Sequence, residues 1–305
     1  MSGSLHILIL SDGKPGHENQ SQGLAEAIGR IRPVEISTIR LAGIKGPIAR
    51  IRHAGKELAK VPAPQLLLGA GHAVRPALLL LAKKTGAPGV VMMKPTLPAS
   101  FFDLCLVPEH DLGGGQGAAN VVPTLGALNR VPPAGDGERK GGLILLGGPS
   151  SSHGWDGPAV EGALKAIIAA NPAQAWTITD SRRSPEGTLS SIVAAIPGLD
   201  AHPHQETGPQ WLPRQLARAE EAWVTEESVS MIYEALSSGA RVGLLPVPAL
   251  KKAGRVARGI AKLADEGFVT PFSRWSPATG LTAPPRILRE ADRCAAIVLD
   301  RLFSA

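Results

Sequence analysis

Cysteine is nearly absent: the 305 residues contain two, Cys105 and Cys294, far apart and with no CxxC spacing or histidine cluster near either. Neither a disulfide framework nor a zinc site is suggested, and a reducing compartment is expected. Aromatic residues are scarce at 4%, so the cores must be built from Ala, Val, Ile and Leu, a composition that suits parallel sheets. Long apolar runs are missing too. The longest unbroken aliphatic stretch, residues 77–82, falls well below the ~20 helical residues that cross a bilayer, and the first ten residues lack the basic start of a secretory signal. The expectation is a cytoplasmic chain, neither exported by that route nor membrane-spanning.

Familiar catalytic signatures are lacking as well. Gly69-Ala70-Gly71-His72-Ala73-Val74 has no third small residue to complete GxGxxG, and no GxxxxGK[ST] occurs, which disfavours dinucleotide dehydrogenases and P-loop enzymes. No GxSxG elbow marks a hydrolase, and no DxD-like acid pair ends a strand, so neither a cofactor nor a metal is expected.

What is present begins with length. A single core rarely grows beyond ~250 residues, so 305 residues imply two domains, and 35 Gly with 27 Pro imply many short turns. The net charge of +6 is lopsided: 14 of the 32 Lys+Arg but only 8 of the 26 Asp+Glu lie in residues 1–135. Much of the excess falls in residues 40–60, where Arg40, Lys45, Arg50, Arg52, Lys56 and Lys60 interleave with aliphatic residues and Glu57 is the one acid. Such a stretch is either an ordinary solvated helix face or a dock for anionic lipid headgroups. Nucleic acid is disfavoured, because no aromatic residue interleaves with these charges.

Along the first half, short apolar runs (residues 5–11, 34–40, 65–70, 90–93, 104–107 and 120–123) alternate with amphipathic segments (18–30, 46–60 and 73–85), the pattern of βαβ units on a parallel sheet. Residues 130–142, RVPPAGDGERKGG, have the composition of a linker. A second α/β pattern follows, with strands expected at 142–147, 175–179, 222–225 and 241–246 and helices at 159–170, 185–195, 228–238 and 251–266. A last helix over 286–303 follows Pro284-Pro285 and is placed to pack back on the first half. The expected architecture is therefore α/β, with two Rossmann-like domains, 1–133 and 134–305, facing one another across a cleft.

In open α/β sheets ligands bind beyond the carboxyl ends of strands, so the loops after each apolar run carry the candidates. The first is Ser11-Asp12-Gly13-Lys14-Pro15-Gly16-His17-Glu18-Asn19-Gln20, which brings His17 to the start of a helix where it could act as a general base. Gly71-His72 and Lys94 end two further strands of the same half. Gly13, Lys14, Gly16, Gln20, Gly71, His72 and Lys94 are thus candidates around His17. In the second half, Gly147-Gly148-Pro149-Ser150 offers backbone N–H groups to a phosphate, and Ser181-Arg182-Arg183 offers guanidinium groups to a diphosphate. From Thr225 a strand runs into a helix whose N-terminus at Ser228 could hold an anion, with Ser230 and Glu234 on one face. Glu226 and Glu227 would repel phosphate and are read as helix caps.

These four segments, SDGKPGHENQ, GGPS, SRR and TEESVSMIYEALSSG, resemble, in this order and over nearly the whole chain, the mitochondrial fission family named for elongated mitochondria, which has bacterial members. That family in turn looks like the GT-B superfamily of glycosyltransferases and non-hydrolysing sugar-nucleotide epimerases. The resemblance implies a nucleotide-sugar in the second domain, with Glu234 on the ribose and Arg182 and the Gly147–Ser150 loop on the diphosphate. It places His17 as the acceptor-side base. The activity it implies is metal-independent transfer of a sugar to an envelope acceptor at the inner face of the cytoplasmic membrane. The alternatives are an epimerase of the same fold, or an adaptor that kept the fold without the chemistry.

Overall fold

The computed structural model describes residues 3–112, 118–133, 138–250 and 254–304. By internal contacts the chain divides into Met1–Arg130 with Arg289–Ala305, and Val131–Leu288. In the first unit, β1 (Leu5–Ser11), α1 (Pro15–Gly29), β2 (Val34–Arg40), α2 (Pro47–Glu57), β3 (Leu66–Ala70), α3 (Arg75–Thr85), β4 (Gly89–Met92), β5 (Leu104–Pro108), α4 (Glu109–Leu112) and β6 (Val121–Thr124) follow one another. The second unit holds β7 (Gly142–Leu145), α5 (Gly157–Ala170), β8 (Trp176–Thr179), α6 (Thr188–Ala195), β9 (Asp200–His202), α7 (Trp211–Arg218), β10 (Glu221–Thr225), α8 (Val229–Ser238), β11 (Arg241–Leu245), α9 (Gly254–Asp265) and β12 (Val269–Pro271). Residues 134–137 of the expected linker and 251–253 of the expected helix lie outside the described residues.

Each unit is a parallel sheet, ordered β2-β1-β3-β4-β5-β6 in the first and β12-β11-β10-β7-β8-β9 in the second. The alternation of apolar runs and amphipathic segments is realised as Rossmann-like units, because a parallel sheet needs a crossover helix between strands and buries both of its faces. All seven residues of β1 and all five of β3 are buried, so these strands read as continuous apolar runs rather than alternating ones. In both sheets the strand order reverses once. The reversal lies between β1 and β3 in the first unit and between β7 and β10 in the second. A crevice opens at such a switch point because the loops leaving the two strands depart to opposite sides.

The last helix, α10 (Glu290–Phe303), belongs to the first unit and packs on α1. Its Cys294, Ala295 and Val298 are fully buried in one cluster with Leu24 and Ile28 of α1. Burying an aliphatic side chain of this size contributes roughly 1.5–3 kcal/mol. Polar pins fix its register: Glu290 Oε2 accepts the Leu125 N–H at 2.9 Å, and Arg301 Nη1 donates to the Ala119 carbonyl at 2.9 Å. The chain returns to the first unit after the Pro284-Pro285 break, as expected of this last helix. Among the described residues no helix is long and apolar enough to cross a membrane.

Candidate functional site

At the switch point of the first unit, β1 ends in Ser11 and the chain turns at Gly13, whose φ of 78° suits glycine. The Gly13 N–H donates to Ser11 Oγ at 3.0 Å, the Lys14 N–H to Asp12 Oδ1 at 3.2 Å, and Ser11 Oγ to Glu18 Oε1 at 2.5 Å. These bonds hold His17 in the first turn of α1. Its Nδ1 lies 3.0 Å from Asp12 Oδ2 and 3.1 Å from Oδ1. A carboxylate can only accept, so Nδ1 carries the proton and Nε2 presents its lone pair, the arrangement a general base requires. The Asp12 side chain is only 5% exposed, so the pair is shielded from solvent on the carboxylate side. From β3, Gly71 takes a φ of 85°, and a Cβ there would overlap the His17 ring. The two loops flanking the switch point therefore meet at the imidazole. Asp12 was legible as part of the loop, but its pairing with His17 was not assigned from sequence.

The remaining first-unit candidates are more dispersed. Gln20 is buried and donates to the Gly16 carbonyl at 3.3 Å, so it serves the helix start. Lys14, His72 and Lys94 are exposed. The Lys94 carbonyl accepts Arg75 Nη2 at 2.7 Å, and Thr96 Oγ1 lies 3.2 Å from Arg75 Nη1. Arg75 is 3% exposed, and burial pulls its pKa below the ordinary guanidinium range. It pins the turn after β4, where Met93 has a φ of 70°, the one non-glycine positive φ among the described residues.

In the second unit the loops after β7, β8 and β10 interlock at the switch point. The Gly147 N–H donates to Thr225 Oγ1 at 2.8 Å, and the Gly148 N–H to Glu227 Oε1 at 2.7 Å. Thr225 Oγ1 also donates to Glu227 Oε1 at 3.2 Å. Both glycines are required by close approach, since a Cβ would overlap Glu227 Oε1 at one and the Arg183 carbonyl at the other. The expectation that Glu226 and Glu227 cap their helix is overturned. Glu226 Oε1 accepts the Val247 N–H at 3.1 Å, and burial raises its carboxyl pKa. The fully buried Glu227 side chain fills the nest formed by the glycine loop. The two amides that were expected to face a phosphate are thus filled from within, that of Gly147 by the Thr225 hydroxyl and that of Gly148 by the Glu227 carboxylate.

The two arginines part company for the same reason. Arg183, its side chain 42% exposed, is tied to the loops, with Nη1 donating to the Gly148 carbonyl at 3.1 Å, Nη2 to Ser228 Oγ at 3.3 Å, and Nη2 lying 3.5 Å from Glu227 Oε1. Arg182 is exposed, and among the described residues it makes no hydrogen bond or ion pair. Ser181 Oγ accepts the Arg183 N–H at 3.2 Å, and Ser150 Oγ accepts the Ser152 and His153 N–H groups, so both serines shape their own turns. Pro149 is exposed. Ser228 is the N-cap of α8 and makes no side-chain capping bond, while the first amide of the helix, the Val229 N–H, donates to the Glu227 carbonyl at 3.1 Å. Ser230 is exposed and Glu234 half-buried, one turn apart on α8. Among the described residues no group of three or more His, Cys, Asp or Glu could hold a metal ion.

Solved structures share this fold. The UDP-GlcNAc 2-epimerase from Methanocaldococcus jannaschii is similar at 11% identity, with a TM-score of 0.55 over 97% of this chain and 99% of that one. S. aureus MnaA, solved with UDP, is similar at 12% identity, with a TM-score of 0.54 over 98% and 97%. The UDP-GlcNAc 2-epimerase from Neisseria meningitidis bound to UDP-GlcNAc is similar at 9% identity, with a TM-score of 0.50 over 98% and 100%. Identities this low establish a common GT-B-like fold and nothing finer. No curated protein sequence matches the chain. The family model described as mitochondrial fission ELM1 matches residues 15–302, and the chain belongs to that family.

Proposed function

We propose that the protein is a metal-independent glycosyltransferase, its second unit holding a nucleotide-diphosphate sugar and its first unit the acceptor. The observation that carries this reading is the Asp12–His17 pair at the β1/β3 switch point. As the acceptor oxygen attacks the anomeric carbon, His17 Nε2 takes the hydroxyl proton and Asp12 stabilises the imidazolium that forms. The bond from that carbon to the diphosphate breaks, and the leaving charge is met by Arg182 and the positive end of the α8 dipole. Glu234 accepts hydrogen bonds from the ribose hydroxyls. The fold also supports a second reading, since it is shared with structures whose names are UDP-GlcNAc 2-epimerase. An epimerase must break the C2–H bond without any acceptor, so deuterium entering C2 of UDP-GlcNAc in heavy water would favour it over transfer.

A nucleoside diphosphate or its sugar is expected to raise the melting temperature, because a ligand bound only by the folded state adds RT ln(1 + [L]/Kd), ~2.7 kcal/mol at a hundred times Kd. Arg182→Ala and Glu234→Ala should each weaken this shift and leave the unliganded melting temperature close to wild type. A wild-type protein indifferent to uridine, guanosine, adenosine, cytidine and thymidine diphosphate sugars would favour the adaptor role.

The reading places the protein at an anionic membrane surface, for which α2 supplies the contact. An open hollow of about 560 Å³ is lined by Lys45, Ile48, Arg52, His53 and Lys56, with Ile48 66% exposed. Arg50, also counted in this stretch, is half-buried. Vesicles containing phosphatidylserine should bind the protein and release it as salt rises, since exposed charges are screened beyond ~8 Å at physiological ionic strength. Arg52→Glu with Lys56→Glu should abolish binding. Equal binding to neutral vesicles would show that the face is merely solvated.

A further inference from the structure

A second Asp–His pair lies in the other unit, at a place the reading above does not use. Asp180 directly follows β8, and its Oδ1 accepts two bonds from the loop after β9: the His204 N–H at 2.7 Å and His204 Nδ1 at 3.0 Å. The donors are 24 residues away in sequence, so the contact is tertiary rather than a local turn. The two side chains are 24% and 15% exposed. Because the carboxylate only accepts, the ring proton sits on Nδ1, and Nε2 is left as an acceptor with no partner among the described residues. Two residues beyond Asp180 stands Arg182, exposed and likewise without a partner. One carboxylate therefore fixes an acceptor at the carboxyl ends of the adjacent strands β8 and β9, and a free cation stands two residues further along the same loop. An acceptor beside a cation complements a hydroxyl beside a phosphate.

We propose that this corner is the sugar subsite of the donor: His204 Nε2 accepts a hydroxyl of the transferred sugar while Arg182 holds the neighbouring phosphate, with Asp180 setting the ring. The proposal rests on the nucleotide-sugar reading and goes beyond it, since that reading assigns only the ribose and the diphosphate. Ser181, the residue between the anchor and the cation, is occupied in its own turn and does not compete for the ligand.

The test is a titration of the intact protein and its variants with nucleoside diphosphates and with their hexose and N-acetylhexosamine conjugates. His204→Phe, which keeps a ring but lacks Nε2, should weaken the conjugate about tenfold, the loss of roughly one hydrogen bond, and leave the bare diphosphate unchanged. Asp180→Asn should act in the same sense, and Arg182→Ala should weaken both ligands. If the wild type binds and His204→Phe keeps the wild-type ratio of the two affinities, the subsite is refuted and the nucleotide-sugar reading survives. If the wild type binds none of the panel, both fall. Should His204→Phe prove unstable, Asp180→Asn decides by the same ratio.

Discussion

Replacing His17 by alanine is expected to cut sugar transfer by ~10²- to 10⁴-fold while leaving donor affinity nearly intact, the usual worth of a positioned general base. The donor contacts assigned here lie in the second unit, and His17 lies in the first, so binding and chemistry should come apart. Asp12→Asn is the sharper companion. An amide at that position can present its NH₂ to Nδ1, which stabilises the wrong tautomer and removes the lone pair from Nε2. The variant should therefore lose turnover with its fold and donor affinity retained. A His17 that only supports its loop would behave differently: the Gly71 contact would be lost, stability would fall, and binding and turnover would decline together. Full transfer activity in His17→Ala would move the base elsewhere, with His72 and then Glu109 the next to replace.

Gly148→Ala should destabilise the second unit by about 1–3 kcal/mol, the usual cost of overpacking, and abolish the nucleotide-induced shift. The added Cβ would meet the Arg183 carbonyl, carbonyl carbon and the Ser184 nitrogen. Those atoms are backbone and cannot rotate aside, so the loops after β7 and β8 must separate. Separation breaks the Gly148 N–H bond to Glu227 and the Arg183 bond to the Gly148 carbonyl, and it carries Arg182 out of place. For a unit of this size each kcal/mol is worth about 2–4 °C in melting temperature. Gly162→Ala is the control, because Gly162 lies in α5, is exposed, and has open space around its would-be Cβ. It should stabilise by ~0.5–1 kcal/mol. A Gly148→Ala protein as stable as wild type would show that the loops are not locked as described.

The elements with strong local signals were legible before any coordinates. Residues 5–11 and 34–40 form β1 and β2 with those same bounds, because an apolar or β-branched run between turn residues has no competing local solution. The strands β9 and β12 and the helix α7 were not anticipated. At three residues each, the two strands are too short to show a period, and they exist only because a neighbouring strand offers its unpaired edge.

The candidate loops were legible for a related reason: in a parallel sheet they must follow apolar runs, and glycine, histidine and arginine stand out against them. Their partners were not. That Asp12 meets His17 depends on one tight turn. That Glu227 fills the nest of Gly147 and Gly148 depends on groups 79 residues apart in the chain. Sequence charge suggested that Glu227 would repel an anion at the N-terminus of α8, and in the folded chain its carboxylate instead accepts the Gly148 N–H. The residues and their order thus determined the two α/β units, the family and the edge of each sheet on which the candidate loops lie, because burial and strand period act locally. Which amides remain open, which arginine is free and which imidazole is held by a carboxylate were decided only by tertiary structure, because hydrogen bonds are directional and short-ranged and form only after distant loops have been brought together.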